Sequence, residues 1–255
     1  MDKIIKPGAE IIDPLSFLKE FTAARIAIGS TGSSIPTRQL LEFKLAHAHA
    51  RDAVYSVMDT EVLEDALAQF HRPVLQLHSR AENRAQYLQR PDLGRKPNEE
   101  SLNRLADQIT GDDIVIIIAD GLSAIALNEN VLALLQLLIP KLLAANLKLG
   151  PLCLVQQGRV AIGDDIAHEL HAKLSLVLIG ERPGLSAADS IGAYLTYHPK
   201  PGLKDNSRNC ISNIRPDGLD ISLAADKIFY LVQEAFRMKL SGVGLKDNEG
   251  LLKGE

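Results

Sequence analysis

From about Pro73 onward the apolar residues come in short unbroken runs rather than at helical spacing. The runs are "PVLQLHS" (73–79), "DIVIIIADGLS" (113–123), "GPLCLVQQG" (150–158), "KLSLVLIGE" (173–181) and "IGAYLTYHP" (191–199), several of them rich in β-branched residues. A strand buried on both faces of a parallel sheet shows no polar face, so it reads this way. Between the runs lie the helical stretches "NEESLNRLADQI", "IALNENVLALLQLLIPKLLAANL" and "GDDIAHELHA". A last helix, "DISLAADKIFYLVQEAFRMKLSG", sets Ile228, Leu231, Val232 and Ala235 on one face. Strands alternating with helices predict an α/β fold, a Rossmann-like, doubly wound and mostly parallel sheet. In such sheets a ligand binds outside the carboxyl ends of the strands, where the strand order reverses.

The first 72 residues follow a different rhythm and predict a helical N-terminal segment ahead of the domain at 73–255. "DPLSFLKEFTAARIAI" (13–28) offers Asp13 as an N-cap, Pro14 at the first helical position and apolar residues at helical spacing. "GSTGSS" (29–34) breaks the chain, a long helix follows from Pro36, and a shorter one starts at Thr60. So small a helical segment has little core of its own and is expected to dock on the rest of the chain or on a partner. The tail "GLKDNEGLLKGE" reads as loosely ordered.

Composition narrows the function. Hydrophobic residues are 46% and charged residues 24% of the 255, the balance of an ordinary globular protein. The formal net charge of −4, without a basic run, disfavours binding to phosphate backbones. With no tryptophan and 4% aromatics, single-strand stacking platforms are missing too. The N-terminus has no uninterrupted apolar core of a secretory signal. "VLALLQLLIPKLLAANL" is interrupted by Pro140 and Lys141, falls short of the ~20 residues of a bilayer span, and reads as a core helix. Cys153 and Cys210 are too few for a disulfide framework or a thiolate metal site.

Several stretches look chemical. "ADGLSAIA" puts Asp120, Gly121 and Ser123 at a strand-to-helix turn, but Ile125 stands where a nucleophile elbow needs its second glycine, and a helix cap explains the residues better. "GSTGSS" lacks the lysine and the preceding strand of a phosphate loop. His47 and His49 fall on different helix faces; His168 and His171 share one but have no evident third ligand. Gly158-Arg159 and Gly180-Glu181-Arg182 stand where the chain leaves two strands, and Val160 and Glu181 face one crevice if those strands are neighbours. "NSRNCISNIRP" (206–216) reads as a polar loop holding Cys210. Three such loops on one edge of the sheet predict a ligand crevice.

"GRVAIGDDIAHELHAKLSLVLIGERPGLSAADSIGAYLTYHP", "NCISNIRPDGL", "FRMKLSGVGLKD" and "FTAARIAIGSTGSSIPTRQLLEFKLAHAHARDAVYSVMD" resemble the light chain of ethanolamine ammonia-lyase over roughly residues 14–245. The resemblance implies an adenosylcobalamin enzyme that converts ethanolamine to acetaldehyde and ammonia by radical chemistry. A TIM-barrel heavy chain holds the substrate, and the Rossmann-like light chain covers the cobalamin between the two. It further implies six heavy–light pairs and a cytoplasmic location, often inside an ethanolamine-utilisation microcompartment. Carried over by motif, the cofactor contacts fall on Val160 of "GRVAI", Glu181 of "GERPG" and Cys210 of "CISNI". Glu181 would orient the nucleotide tail or a corrin amide, and Arg182 would hold the loop or the heavy chain. The D-x-H-x-x-G signature of proteins that replace the lower base of cobalamin with histidine does not occur, so cobalamin is expected base-on with no cobalt ligand from this chain. Two rivals belong to other classes: a hydrolase with Ser123 as nucleophile and His168 or His198 as base, and a scaffold that never touches cofactor.

Overall fold

The computed structural model describes residues 13–22, 24–30, 32–108 and 111–247. Six strands form one sheet: β1 (Val74–His78), β2 (Ile114–Ala119), β3 (Leu149–Gln156), β4 (Leu174–Gly180), β5 (Ile191–Tyr197) and β6 (Asn209–Ile214), in the spatial order β1-β3-β2-β4-β5-β6. β1, β3, β2 and β4 are parallel; β5 and β6 each run antiparallel to their inner neighbour. The architecture is therefore α/β with a mixed sheet. It differs from the dinucleotide-binding order, in which the first strand is central, because here β1 is an edge.

Among the described residues the helices are α1 (Thr37–Tyr55), α2 (Thr60–Leu67), α3 (Arg84–Gln89), α4 (Glu99–Ala106), α5 (Ala124–Ala144), α6 (Ile162–Glu169) and α7 (Ile221–Met238). The alternation of side chains along β2 sorts them into two layers. Ile114, Ile116 and Ile118 pack with α2, α5 and α7, whereas Val115, Ile117 and Ala119 pack with α4 and α6. The crossover from β2 back to β3 uses α5 on the first face. The crossovers that move the other way, β1 to β2 and β3 to β4, use α4 and α6 on the second, as a single crossover hand requires.

α5 is long and apolar enough to cross a membrane by length and composition. Ten of its residues are nonetheless buried, and it packs against both the sheet and α7, the setting of a core helix. Pro140 sits inside it without ending it. On the other face Arg208 and Asp164, each with a side chain only 3% exposed, form an ion pair that ties the chain after β5 to the start of α6. Burial pushes the Asp164 carboxyl up to about 6 against the pull of Arg208.

Three expectations are corrected here. Among the described residues of the stretch 13–28 the helical structure is only a 3-10 turn at Ser16–Glu20, and Phe17 and Phe21 stay 57% and 79% exposed rather than packing on the rest of the described chain. The polar segment 206–216 is mostly strand β6, not a loop. The start of the tail is packed: Leu245 is buried in the core and its carbonyl accepts from Asn209 Nδ2 at 2.9 Å. Residues 248–255, like residues 1–12 examined for a secretory signal, lie outside the described residues. Met58, Leu63 and Leu67 of the N-terminal segment enter the main core beneath α5, whereas α1 buries Ala53 alone.

Leu135 is fully buried in α5 amid that core. Leu135→Ala should lower the unfolding free energy by about 2–5 kcal/mol in a urea titration, the range of leucine truncations in packed interiors.

Candidate ligand crevice at the strand ends

The carboxyl ends of β2, β3 and β4 are held together by backbone contacts that only glycine allows. Gly121, at φ +57°, lies so close to the end of β4 that a Cβ there would stand 2.2 Å from the Gly180 carbonyl oxygen. A Cβ on Gly180 would stand 1.9 Å from the Ser123 carbonyl oxygen. The Leu122 amide donates to Gly180 O at 2.9 Å, sealing the turn. Asp120, 4% exposed, joins the end of β2 to that of β3. Its two carboxylate oxygens accept from the amides of Gln157 (2.9 Å) and Gly158 (3.0 Å). Burial pushes this carboxyl above its ordinary range, while those N–H groups and Arg84 pull it down.

Above these ends lies an open crevice of about 510 Å³, bordered by Tyr87, Arg159, Val160, Glu181, Tyr194 and Ser212 among others. It stands where β2 and β3, adjacent strands, send their connections to opposite faces of the sheet, the position at which open α/β sheets take ligands. Val160 and Glu181 share it although their strands are not neighbours, because β2 runs between β3 and β4. The Glu181 side chain lies back over Gly192, and its Oε2 accepts the Asn213 amide at 3.0 Å. Its Oε1 has no protein donor among the described residues. Arg182, also at the crevice, is exposed and pairs with no carboxylate among the described residues. Glu181 and Arg182 are thus not an ion pair.

Cys210 is exposed on β6, two residues from Ser212 and so on the same side of the strand. It stands opposite Tyr194 in the β5–β6 register. Partial burial pushes the thiol up, Tyr194 pulls it down, and the charge of Glu181 adds to the rise. Cys153, in contrast, is fully buried in β3 and pushed up to about 12 by that burial.

One wall of the crevice was not anticipated. Tyr87, 1% exposed, comes from the short helix α3 and donates its hydroxyl to Gly158 O at 3.1 Å. Its ring lies between two guanidinium groups, Arg159 at 4.2 Å and Arg84 at 4.8 Å from the centroid. Arg84 donates to Val54 O and Gly121 O, at 2.6 and 2.7 Å. The signal was Asn83, whose side chain caps α3 by accepting from the Gln86 amide.

The hydrolase reading does not survive the geometry. Ser123 is fully buried and donates to Ala188 O at 2.6 Å. His198, bonded through its amide to Lys173 O, lies at the opposite end of the sheet. His171 follows the end of α6 in a left-handed conformation, so it does not share a helix face with His168. No group of three or more potential metal ligands occurs among the described residues.

Residues 12–246 match the family model described as "Ethanolamine ammonia-lyase light chain". The chain belongs to that family. As a family member it is a subunit of an ammonia-lyase, an enzyme that breaks a carbon–nitrogen bond. The ethanolamine ammonia-lyase small subunit of Pseudomonas aeruginosa is 49% identical over 255 residues, covering 98% of this chain and 93% of the relative. The small subunit of Azotobacter vinelandii is 48% identical, covering 92% and 88%, and that of Pseudomonas syringae pv. tomato 45%, covering 97% and 88%.

Gly180→Ala should cost about 3 kcal/mol in a urea titration, since its Cβ meets backbone and not a side chain that could swing away. Gly184→Ala, where the nearest atom is 3.7 Å away, serves as the control and should stay within about 0.5 kcal/mol of wild type.

Proposed function

We propose that the chain is the light subunit of an adenosylcobalamin-dependent ethanolamine ammonia-lyase, and that its crevice covers one side of the cofactor against a heavy chain. The carrying observation is that Val160 and Glu181 meet in one open crevice with Cys210 beside it, in a member of this family. The residues fit a corrinoid by their chemistry. The periphery of cobalamin offers amides, hydroxyls and an apolar base. The free Oε1 of Glu181 accepts from an amide or hydroxyl, while Val160 and the Cys210 thiol pack softly against methyl groups and rings. At about 510 Å³ the crevice is too small for the whole cofactor, which supports a second wall supplied by the heavy chain. Adenosylcobalamin, when bound, supplies the radical chemistry; the share of this chain is to bind, orient and exclude water. Glu181 is fixed for that task by the Asn213 amide, so little side-chain freedom is lost on binding.

The N-terminal segment, in this reading, docks on the heavy chain. α1 shows Leu40, Leu41, Phe43 and Leu45 to solvent, and Phe17 and Phe21 precede it in the same condition. Six heavy–light pairs in a cytoplasmic microcompartment complete the proposal.

With heavy chain co-expressed, Glu181→Ala should raise the adenosylcobalamin needed for half-maximal ammonia release about tenfold, the loss of one charge-assisted hydrogen bond. Equal cofactor dependence would reduce Glu181 to a loop-holding residue. Leu41→Glu combined with Leu45→Glu, one turn apart on α1, should abolish co-purification with the heavy chain and leave the circular dichroism spectrum unchanged. Retained co-purification would remove α1 from the interface.

A further inference from the structure

We propose that Arg159 is an anion receptor in this crevice and that it binds the phosphodiester of the nucleotide tail of the cofactor. The proposal rests on the cobalamin reading above and specifies which part of the ligand lies at the β3 end.

Arg159 is held as a receptor needs to be. Its guanidinium carbon stands 4.2 Å from the Tyr87 ring centroid, and its Nη2 donates to Tyr87 O at 3.0 Å. The Cγ of its stem lies against Gly94, where a Cβ would approach it to 2.8 Å. Side chain and backbone thus fix the plane of the guanidinium before any ligand arrives. Yet no carboxylate balances it: among the described residues Arg159 forms no ion pair, and its buried Nε has no acceptor. Its Nη1, which unlike Nε is not buried, also has no acceptor among the described residues and is the donor open to a ligand in the crevice.

The surroundings share the sign. Among the described residues Arg84 and Arg182 form no ion pair, and although Asp120 interacts with Arg84 by charge, both its carboxylate oxygens are occupied by the Gln157 and Gly158 amides. Among the described residues the amides of Val160 and Ala161, directly after Arg159, have no protein acceptor either. Glu181, the acid of the crevice, comes from β4 and is engaged by Asn213. Around Arg159 the crevice therefore offers fixed donors and surplus positive charge, which matches a phosphate. Of the groups on cobalamin's rim, the nucleotide-tail phosphodiester alone is a permanent anion; the amides of the corrin are neutral.

The test uses the co-expressed heavy–light complex and reads binding by the corrinoid absorption change, with cobinamide, cobinamide phosphate and hydroxocobalamin as probes. The wild-type complex should prefer cobinamide phosphate to cobinamide by roughly ten- to a hundredfold. Arg159→Gln should abolish that preference while cobinamide affinity stays the same, and Arg159→Lys should restore part of it. Raising salt should weaken phosphate-bearing probes in wild type more than in Arg159→Gln. If Arg159→Gln keeps the wild-type preference, the receptor role is overturned even though cobalamin binds. If the wild-type complex binds none of the three probes, the cobalamin reading itself fails. Should Arg159→Gln not fold, Arg159→Lys decides by the same preference, which a merely structural arginine would leave unchanged.

Discussion

The site depends on how closely the ends of β2 and β4 approach. Gly121 and Gly180 meet backbone to backbone, and the Asp120 carboxylate ties the same turn to the end of β3. These contacts give the three parallel strand ends one shared floor, so loops from separate strands reach one crevice. Side chains at either glycine would push β4 outward and carry Glu181 with it. The restriction is steric at Gly180, whose φ is ordinary, and both steric and conformational at Gly121, whose φ is positive. Glycine there is the condition under which Val160 and Glu181 line one crevice.

The polar groups around this floor are engaged in a consistent order. Asp120 is consumed by backbone amides, Ser123 by the Ala188 carbonyl and Tyr87 by the Gly158 carbonyl. Each is buried and satisfied, and so none is available for acid–base or nucleophilic work. Among the described residues, spare capacity is left on Glu181, Arg159 and Arg182 at the crevice and on Arg84 beneath it. Groups with spare donors and acceptors but no free acid–base or nucleophilic pair suit the recognition of amides, hydroxyls and anions rather than their transformation, in keeping with the function proposed above.

What the sequence disclosed follows from burial. β2 to β5 were legible because interior strands have apolar residues at consecutive positions, and all six residues of β2 are buried; β1, an edge strand, was legible only from Val74, Leu75 and Leu77. β6 was not, because an edge strand over one helix needs only Ile211 and Ile214 inward, and Asn209, Cys210, Ser212 and Asn213 read as loop. The helical spacing at 13–28 misled for the opposite reason: the apolar residues are there, but among the described residues they find nothing to cover. At the crevice, the glycines and arginines at strand ends announced themselves. Tyr87 did not, since its place depends on α3 folding over the β3 end some 70 positions later, a contact carried by Tyr87–Gly158 and Arg159–Tyr87 hydrogen bonds. The β1-first edge order is likewise invisible to periodicity, which sees that a strand is buried but not which strand lies beside it.

Two features then belong together although they lie far apart in the chain. α1 spends nineteen residues on a helix that buries one alanine, and the crevice is left open with an arginine donor unsatisfied. Either alone is a cost to a monomer: exposed leucine and phenylalanine favour aggregation, and an unpaired buried N–H destabilises. Both costs vanish in a complex whose partner covers α1 and whose ligand fills the crevice. The core, where α5 packs on the sheet, is thus separate from α1 and the crevice, the two surfaces to which the proposed function assigns a partner and a ligand. In that reading a partner and a ligand complete the chain without being required to fold its center.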